Sequence, residues 1–294
     1  MLDMTKKIIE RKKGKAGKII KKIVLGFVVI LVCAIILFPL VWMFPAAFKT
    51  KREIWQIPNT WWPNVFVGDN FSKIMNLDLN GYNFLSSLLW TLLVSTVAVV
   101  LSLLVNMLAA FSFATMEFRG KKALWVYFII TMCIPGITIL LTSLRVVYSL
   151  HLTDTIWVLI LPGIVSAYNI FFFRQFFYSI PLSLEEAATI DGCSRWKIFW
   201  KIFFPMSSTP MVIIGVGVFM GYWNSFIWPT LTIINNTKIA QIMQVIRILN
   251  TSTYAGQNYS IIIAATELAI LIPLALFAIF QKKIIAGIAI SGLK

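Results

Sequence analysis

The chain has 294 residues, 59% of them hydrophobic and only 13% charged, with a formal net charge of +15. That balance excludes an ordinary soluble domain and marks a polytopic membrane protein. The basic excess does not point to nucleic acid, because Lys6, Lys7, Arg11, Lys12, Lys13, Lys15, Lys18, Lys21 and Lys22 crowd in front of an apolar run, where such charges orient a membrane segment.

Residues 1–22 read as a basic cytoplasmic tail, with Ile8, Ile9, Ile19 and Ile20 among the lysines, suited to an anionic inner leaflet. The apolar run 23–48 is long enough to cross a bilayer and too long for the core of a signal peptide, so an uncleaved helix with its amino end inside is expected. Residues 49–84 read as a polar loop without a helical period. Trp55, Trp61 and Trp62 there suit the outer membrane interface, or alternatively stacking on sugar rings. A second span is expected over 85–113, before the basic turn holding Arg119, Lys121 and Lys122. The third, 123–144, contains Pro135-Gly136, which removes an internal hydrogen bond and predicts a bent or broken helix. A short outer loop, 145–156, leads to a fourth span over 157–178 that carries Pro162, Asn169 and Arg174.

The segment 179–206 is the most informative polar stretch. Ser183 followed by Glu186 predicts a capping box at a helix start, Ala187 and Ala188 give that helix a low profile, and Gly192 suits the left-handed residue that ends it. A second short helix is expected from Ser194, basic through Arg195, Lys197 and Lys201. Trp196, Phe199, Trp200 and Phe203 would lie at the membrane boundary until Pro205 turns the chain.

At these residues the chain resembles the permease subunits of bacterial ABC importers. Their pattern Glu-Ala-Ala, three residues, Gly, nine residues, Ile, one residue, Leu-Pro stands here as Glu186-Ala187-Ala188, Gly192, Ile202 and Phe204-Pro205, with Phe204 in the Leu position. Arg174 to Phe177, Ile180-Pro181, Glu185, Asp191, Trp223-Asn224 and the end of the chain, with Gly287 and Gly292, resemble the second permease subunit of carbohydrate importers of the maltose and multiple-sugar type. The resemblance implies a type I ABC importer permease fold in which this loop, through Glu185, Glu186, Ala187, Ala188, Asp191, Gly192, Ile202 and Pro205, is the coupling helix that docks on a separate cytoplasmic ATPase. It also implies a second homologous permease subunit, two ATPase subunits that bind the ATP and magnesium, and an extracellular solute-binding protein that delivers an oligosaccharide.

A fifth span is expected over 209–230, a polar outer loop over 231–259, and a sixth span over 260–280 before the cytoplasmic tail 281–294. Trp223, Asn224, Trp228 and Glu267 are the candidate path residues, offering stacking faces and hydroxyl partners. Asn224 and Glu267 could equally fix helix packing. This layout divides the chain into an N-terminal tail 1–22, a six-helix permease domain 23–280 and a C-terminal tail 281–294, with both termini in the cytoplasm of a bacterial cell. It leaves seven basic residues outside (Lys49, Lys51, Arg52, Lys73, Arg145, Lys238 and Arg247) and all the others inside.

No nucleotide-binding loop, histidine cluster or paired-cysteine spacing is present, so neither catalysis, a metal site nor ATP binding is expected of this chain. Six spans of about 20 residues use up its length and leave no room for a catalytic domain. The alternatives are an ABC permease for another solute, or an ion-coupled secondary transporter using Glu267.

Overall fold

A computed structural model describes the backbone of residues 2–251 and 253–291, and the side chains of 18, 20–251 and 258–287. Met1, residue 252 and residues 292–294, including Gly292, lie outside it, as do the side chains of most of the basic tail.

The first helix, α1 (Leu2–Ala47), runs unbroken from the tail region through the first apolar run, and over 20–47 it has the length and hydropathy of a membrane span. The expected polar loop that follows is more ordered than its composition suggests. It holds α2 (Lys51–Ile54), α3 (Asp69–Met75) and a two-residue hairpin of β1 (Asp78–Leu79) and β2 (Tyr82–Asn83). The missing helical period misled because α2 is a single turn, fixed by a capping box between Thr50 and Glu53.

The hub of the fold is α4 (Phe84–Thr115), capped by Asn83, which accepts the amide of Ser86 at 2.9 Å. The third span is not one helix. It is split into α5 (Lys121–Thr131) and α6 (Leu140–Ser149), separated by the residues around Pro135-Gly136, and α6 extends into the expected outer loop. The fourth is also broken, into α7 (Ile156–Ile160) with a 3-10 turn (Leu161–Gly163), and α8 (Ala167–Phe177), at 47° to each other.

Then come α9 (Leu182–Ile190), α10 (Arg195–Ile198), a π-helical turn (Phe199–Phe203), α11 (Phe204–Met206), α12 (Ser208–Trp223) and α13 (Ile227–Thr232). Pro205 does not turn the chain. It sits in the first turn of α11, where a missing N–H is harmless, and the 78° bend falls at Ser207 instead.

The expected outer loop 231–259 contains α14 (Ile242–Thr251), whose Ile242, Val245 and Leu249 are buried at helical spacing. The last helix, α15 (Thr253–Ser291), is kinked at Asn258 and continues past 280 into the expected tail.

Among the described residues, three helices cross-check as spans (20–47, Phe84–Thr115, Asn258–Gly287), and the two bent pairs add two more. The core is layered along α4. Phe84, Phe219, Trp223, Ile242 and Ile262 pack at one end. Val94, Val147, Leu159 and Ile233 fill the middle, and Phe111, Phe173, Phe199 and Phe203 pack at the other end.

Candidate functional site

Two parts of the molecule stand out, and α8 joins them. The first is the corner formed by α9 and α10. No residue of α9 is buried, and Leu182 and Ile190 are 71% and 86% exposed, which leaves an apolar surface on a short helix. The expected capping box is absent: α9 starts two residues early, after Pro181, so Ser183 lies inside the first turn and no side chain caps the start.

The helix end follows the sequence reading. Cys193 N–H donates to Ala188 C=O at 2.9 Å and Gly192 N–H to Thr189 C=O at 3.0 Å, with Gly192 at φ +73°. That double closure is a Schellman motif, which places the residue after the cap in the left-handed region and packs the next one inward. Cys193 and Ala188 accordingly face the aromatic cluster. Ser194 caps α10 by accepting the Lys197 amide at 3.3 Å, and Arg195 pairs with Glu185 across the corner.

The corner is mounted on aromatics. Phe199 and Phe203, turned inward by the π-helical turn, contact Phe111 of α4 at ring-centroid distances of 5.3 and 4.9 Å, and Phe203 meets Phe177 of α8 at 5.2 Å. Trp196 and Trp200 stay exposed, whereas Phe199 and Phe203, also expected at the membrane boundary, are buried in this core because the π-helical turn aims them at α4 and α8. The sequence-derived residues therefore divide: Glu186, Ala187, Asp191, Gly192 and Pro205 face outward, while Ala188 and Ile202 face the cluster and Glu185 is tied to Arg195.

The second part is a partly open cavity of about 690 Å³ in the middle of the bundle, within the usual span of small-molecule sites, about 300–1,000 Å³. Three helix interruptions meet on it: Gly136 and Ile139 from the α5–α6 break, Pro162, Gly163 and Ser166 from the α7–α8 break, and Ser225 from the α12–α13 break. Irregular backbone at membrane depth persists only where protein or a wet cavity satisfies it.

At the α7–α8 break side chains do so. Pro162 has no N–H to return to Val158, and Trp228 Nε1 donates to that carbonyl at 2.8 Å. The Ile164 amide turns to Leu161, freeing the Ile160 carbonyl, which accepts the Tyr222 hydroxyl at 2.7 Å. Asn106, buried in α4, donates to Ile164 C=O at 2.7 Å and accepts Ser166 N–H at 2.9 Å. The lining adds Ser143, Tyr168, Asn169 and Gln241, and none of its side chains is charged.

Of the four path candidates, only Trp228 lines this cavity, and its indole N–H is already engaged. Asn224 lines an adjoining recess of about 340 Å³ and donates back to Met220 C=O at 2.9 Å. Trp223 is buried, stacked on Phe219 at 5.6 Å within the core, and offers no face to a ligand. Glu267 lies on α15 beside Leu268 and lines none of the cavities described here. Sequence reasoning missed Asn106, although a lone Asn inside the second apolar run is the kind of signal that marks a polar duty in a span.

Asp154 locks together two loops, 145–156 and 231–259, that the sequence reading expects outside. Its Oδ1 accepts the amides of Ile234, Asn235 and Asn236 at 2.6, 2.9 and 3.1 Å. Burial would raise this carboxyl, but those amides and the Asn235 side chain outweigh it and hold it below its ordinary value.

A mostly helical bundle with broken spans around a cavity and an exposed helix on an aromatic mount is the architecture of a membrane permease. The chain belongs to the family described as the binding-protein-dependent transport system inner membrane component, which it matches over residues 106–288. It is a multi-pass protein of the bacterial inner membrane with the type I ABC permease fold, and permeases of this kind are not themselves enzymes.

It is 30% identical over 272 residues to an arabinooligosaccharides transport system permease protein of Halalkalibacterium halodurans, covering 92% of this chain and 95% of that one. It is also 30% identical over 264 residues to an sn-glycerol-3-phosphate transport system permease protein of Escherichia coli O1:K1, covering 88% and 92%. In fold it is similar to a chain of a bacterial ABC transporter involved in the import of the acidic polysaccharide alginate, with a TM-score of 0.78, 21% identity, and 90% and 96% of the two chains covered.

Proposed function

We propose that this chain forms half of the transmembrane path of an ATP-driven importer of neutral oligosaccharides. Its companions would be a second homologous permease subunit, two ATPase subunits that hold ATP and magnesium, and an extracellular solute-binding protein. The permease domain would occupy 23–280, with the segment 179–206 as its cytoplasmic handle.

The observation that carries the substrate class is the cavity wall: hydroxyls, amides and aromatic edges from three helix breaks, with no charged side chain. Hydroxyl-rich neutral solutes match such a wall. An anion would need a basic partner there, since a charge in a poorly solvated site is costly unless it is paired. Among the solutes named for its relatives, arabinooligosaccharides fit this wall better than sn-glycerol 3-phosphate or alginate.

The mechanism follows from how the two parts are joined. The Leu182–Ile190 surface would sit in a cleft of the ATPase, with Glu186 at its polar edge and Ala187 permitting close approach. Closure of the ATPase dimer would push the corner, and Phe199 and Phe203 would pass that motion to α4 and α8 as a rigid body. The α8 helix, about 16 Å long from its 11 residues, runs from this mount to the cavity wall at Ser166. A displacement at the handle therefore reaches the α7–α8 break, where the backbone is already interrupted and can rearrange.

The test is ATP-dependent uptake into vesicles holding the assembled transporter. Labelled arabinooligosaccharide is expected to accumulate, sn-glycerol 3-phosphate not. Uptake of the phosphate ester alone would overturn the substrate class, and uptake that continues without ATP but stops with an ionophore would overturn the transport class.

A further inference from the structure

The helix α5 is loosely packed on this chain: none of its residues is buried, and α8 is its main neighbour. Lys121 ties its first turn to the Met116 carbonyl at 2.8 Å, and two rings hold the rest. Trp125 stacks on Phe171 of α8 at 6.1 Å and leans on Phe113 of α4 at 5.5 Å, while Phe128 meets the same Phe113 at 5.6 Å. Yet α5 leads directly into the α5–α6 break, which gives Gly136 and Ile139 to the cavity wall. A helix so lightly packed can pass on a displacement only if something fixes it to a neighbour.

Arg174 supplies that fixing. Its guanidinium lies 3.9 Å from the centroid of the Trp125 ring on α5 and 4.6 Å from that of Tyr178 at the end of α8. A planar cation over aromatic faces is attracted to both rings. Its Nε also donates to Phe113 C=O at 3.3 Å. That carbonyl lies in the last turn of α4, where the helix itself offers no donor and a cation is favoured by the helix dipole.

One side chain therefore touches α4, α5 and α8, beside the aromatic cluster on which the α9–α10 corner is mounted. Arg174 is partly buried and, among the described residues, forms no ion pair, so no carboxylate draws it away from the rings.

We infer that Arg174 is a positioning residue that clamps α5 to α8 and to the end of α4, so that a displacement of the handle moves the α5–α6 and α7–α8 breaks together. One push then alters the cavity at two of its walls. The push rests on the handle reading given above, whereas the clamp belongs to the resting chain and is measured without it. Lysine cannot replace this residue, because it keeps the charge near the end of α4 but has no flat face to lie on Trp125.

The test uses the assembled transporter in liposomes, with Cys33, Cys133 and Cys193 replaced by alanine and spin labels at Tyr127→Cys on α5 and Gln175→Cys on α8, both exposed positions. Electron spin resonance reads the distribution of distances between them. The parent is expected to give one narrow distribution that stays the same when a non-hydrolysable ATP analogue closes the ATPases. Arg174→Lys, and separately Trp125→Leu, should broaden it and lower uptake several-fold, with nucleotide turnover and the thermal midpoint near the parent's.

An unchanged distribution in both variants overturns the clamp. A parent distribution that shifts with the analogue overturns the joint movement, and broadening without any loss of uptake overturns the role in transport. Normal uptake by Gly192→Val would instead overturn the handle reading, and the two failures are told apart because the resting distribution depends on residue 174 alone of the two.

Discussion

The handle at 182–206 and the broken helices around the cavity handle unsatisfied backbone in opposite ways. The handle's helix start carries no side-chain cap, and the corner is mounted from behind on packed rings with its first helix facing outward. At the α7–α8 break on the cavity wall, the carbonyls of Val158, Ile160 and Ile164 and the amide of Ser166 are each taken by a side chain from another helix. In the proposed mechanism packing would make the handle a lever, and exchangeable hydrogen bonds would make the α7–α8 break a joint. Bonds of this kind can be remade in a second arrangement, which dense packing resists.

The largest effect is expected from Phe199→Ala. Removing a buried ring from the mount destabilises by about 3 kcal/mol or more. In the assembled transporter it should lower the thermal midpoint and leave ATP hydrolysis no longer matched to uptake. Unchanged coupling would mean that the rings do not carry the motion.

Next is Asn106→Leu, which strands the Ile164 carbonyl and the Ser166 amide, at about 2–3 kcal/mol for two groups left unpaired. Its signature differs from the first: uptake falls while the handle still engages the ATPase, read as nucleotide turnover retained at near wild-type rate. Trp228→Phe keeps a ring against the cavity and deletes one donor, so a loss of about 1 kcal/mol and a milder fall in uptake are expected. If it proved as severe as Asn106→Leu, the ring itself would matter more than its bond to Val158.

The smallest effect concerns the outer latch. Because Asp154 is held below its ordinary value, its contribution is present in full above the usual carboxylate range and is lost as pH falls through its lowered value. Asp154→Asn should therefore lower stability modestly at pH 7, with the gap from wild type narrowing on acidification below about pH 4, measured by thermal unfolding at each pH.

Much of this was legible in the sequence. Pro135-Gly136 announces its break through a missing donor and Gly192 its turn through its freedom at positive φ, whereas the break beside Pro162 falls inside what read as one continuous span. The handle's outward residues follow from a spaced motif. What the sequence concealed were matters of partnership. Trp223 looks like a sugar-facing ring, but α12 turns it into the core against Phe219. The apolar face of α14 was hidden among the polar residues of an apparent loop, although Ile242, Val245 and Leu249 repeat at helical spacing. Asn106 shows its purpose only beside a break more than fifty residues later in the chain, and no local pattern carries that information.

The central claim is that a short helix outside the bundle moves a cavity inside it, and Gly192 tests it most directly. A Cβ there meets no atom of this chain within 4 Å, so any effect within the chain comes from the backbone conformation at φ +73°, and the Val and Asn variants, which both add a side chain toward the partner, separate that from crowding in the cleft. Gly192→Val, which resists that conformation, should leave ATP hydrolysis running in reconstituted vesicles while uptake is lost, and Gly192→Asn, which tolerates it, should keep both. Equal and normal uptake by the two variants would contradict the account.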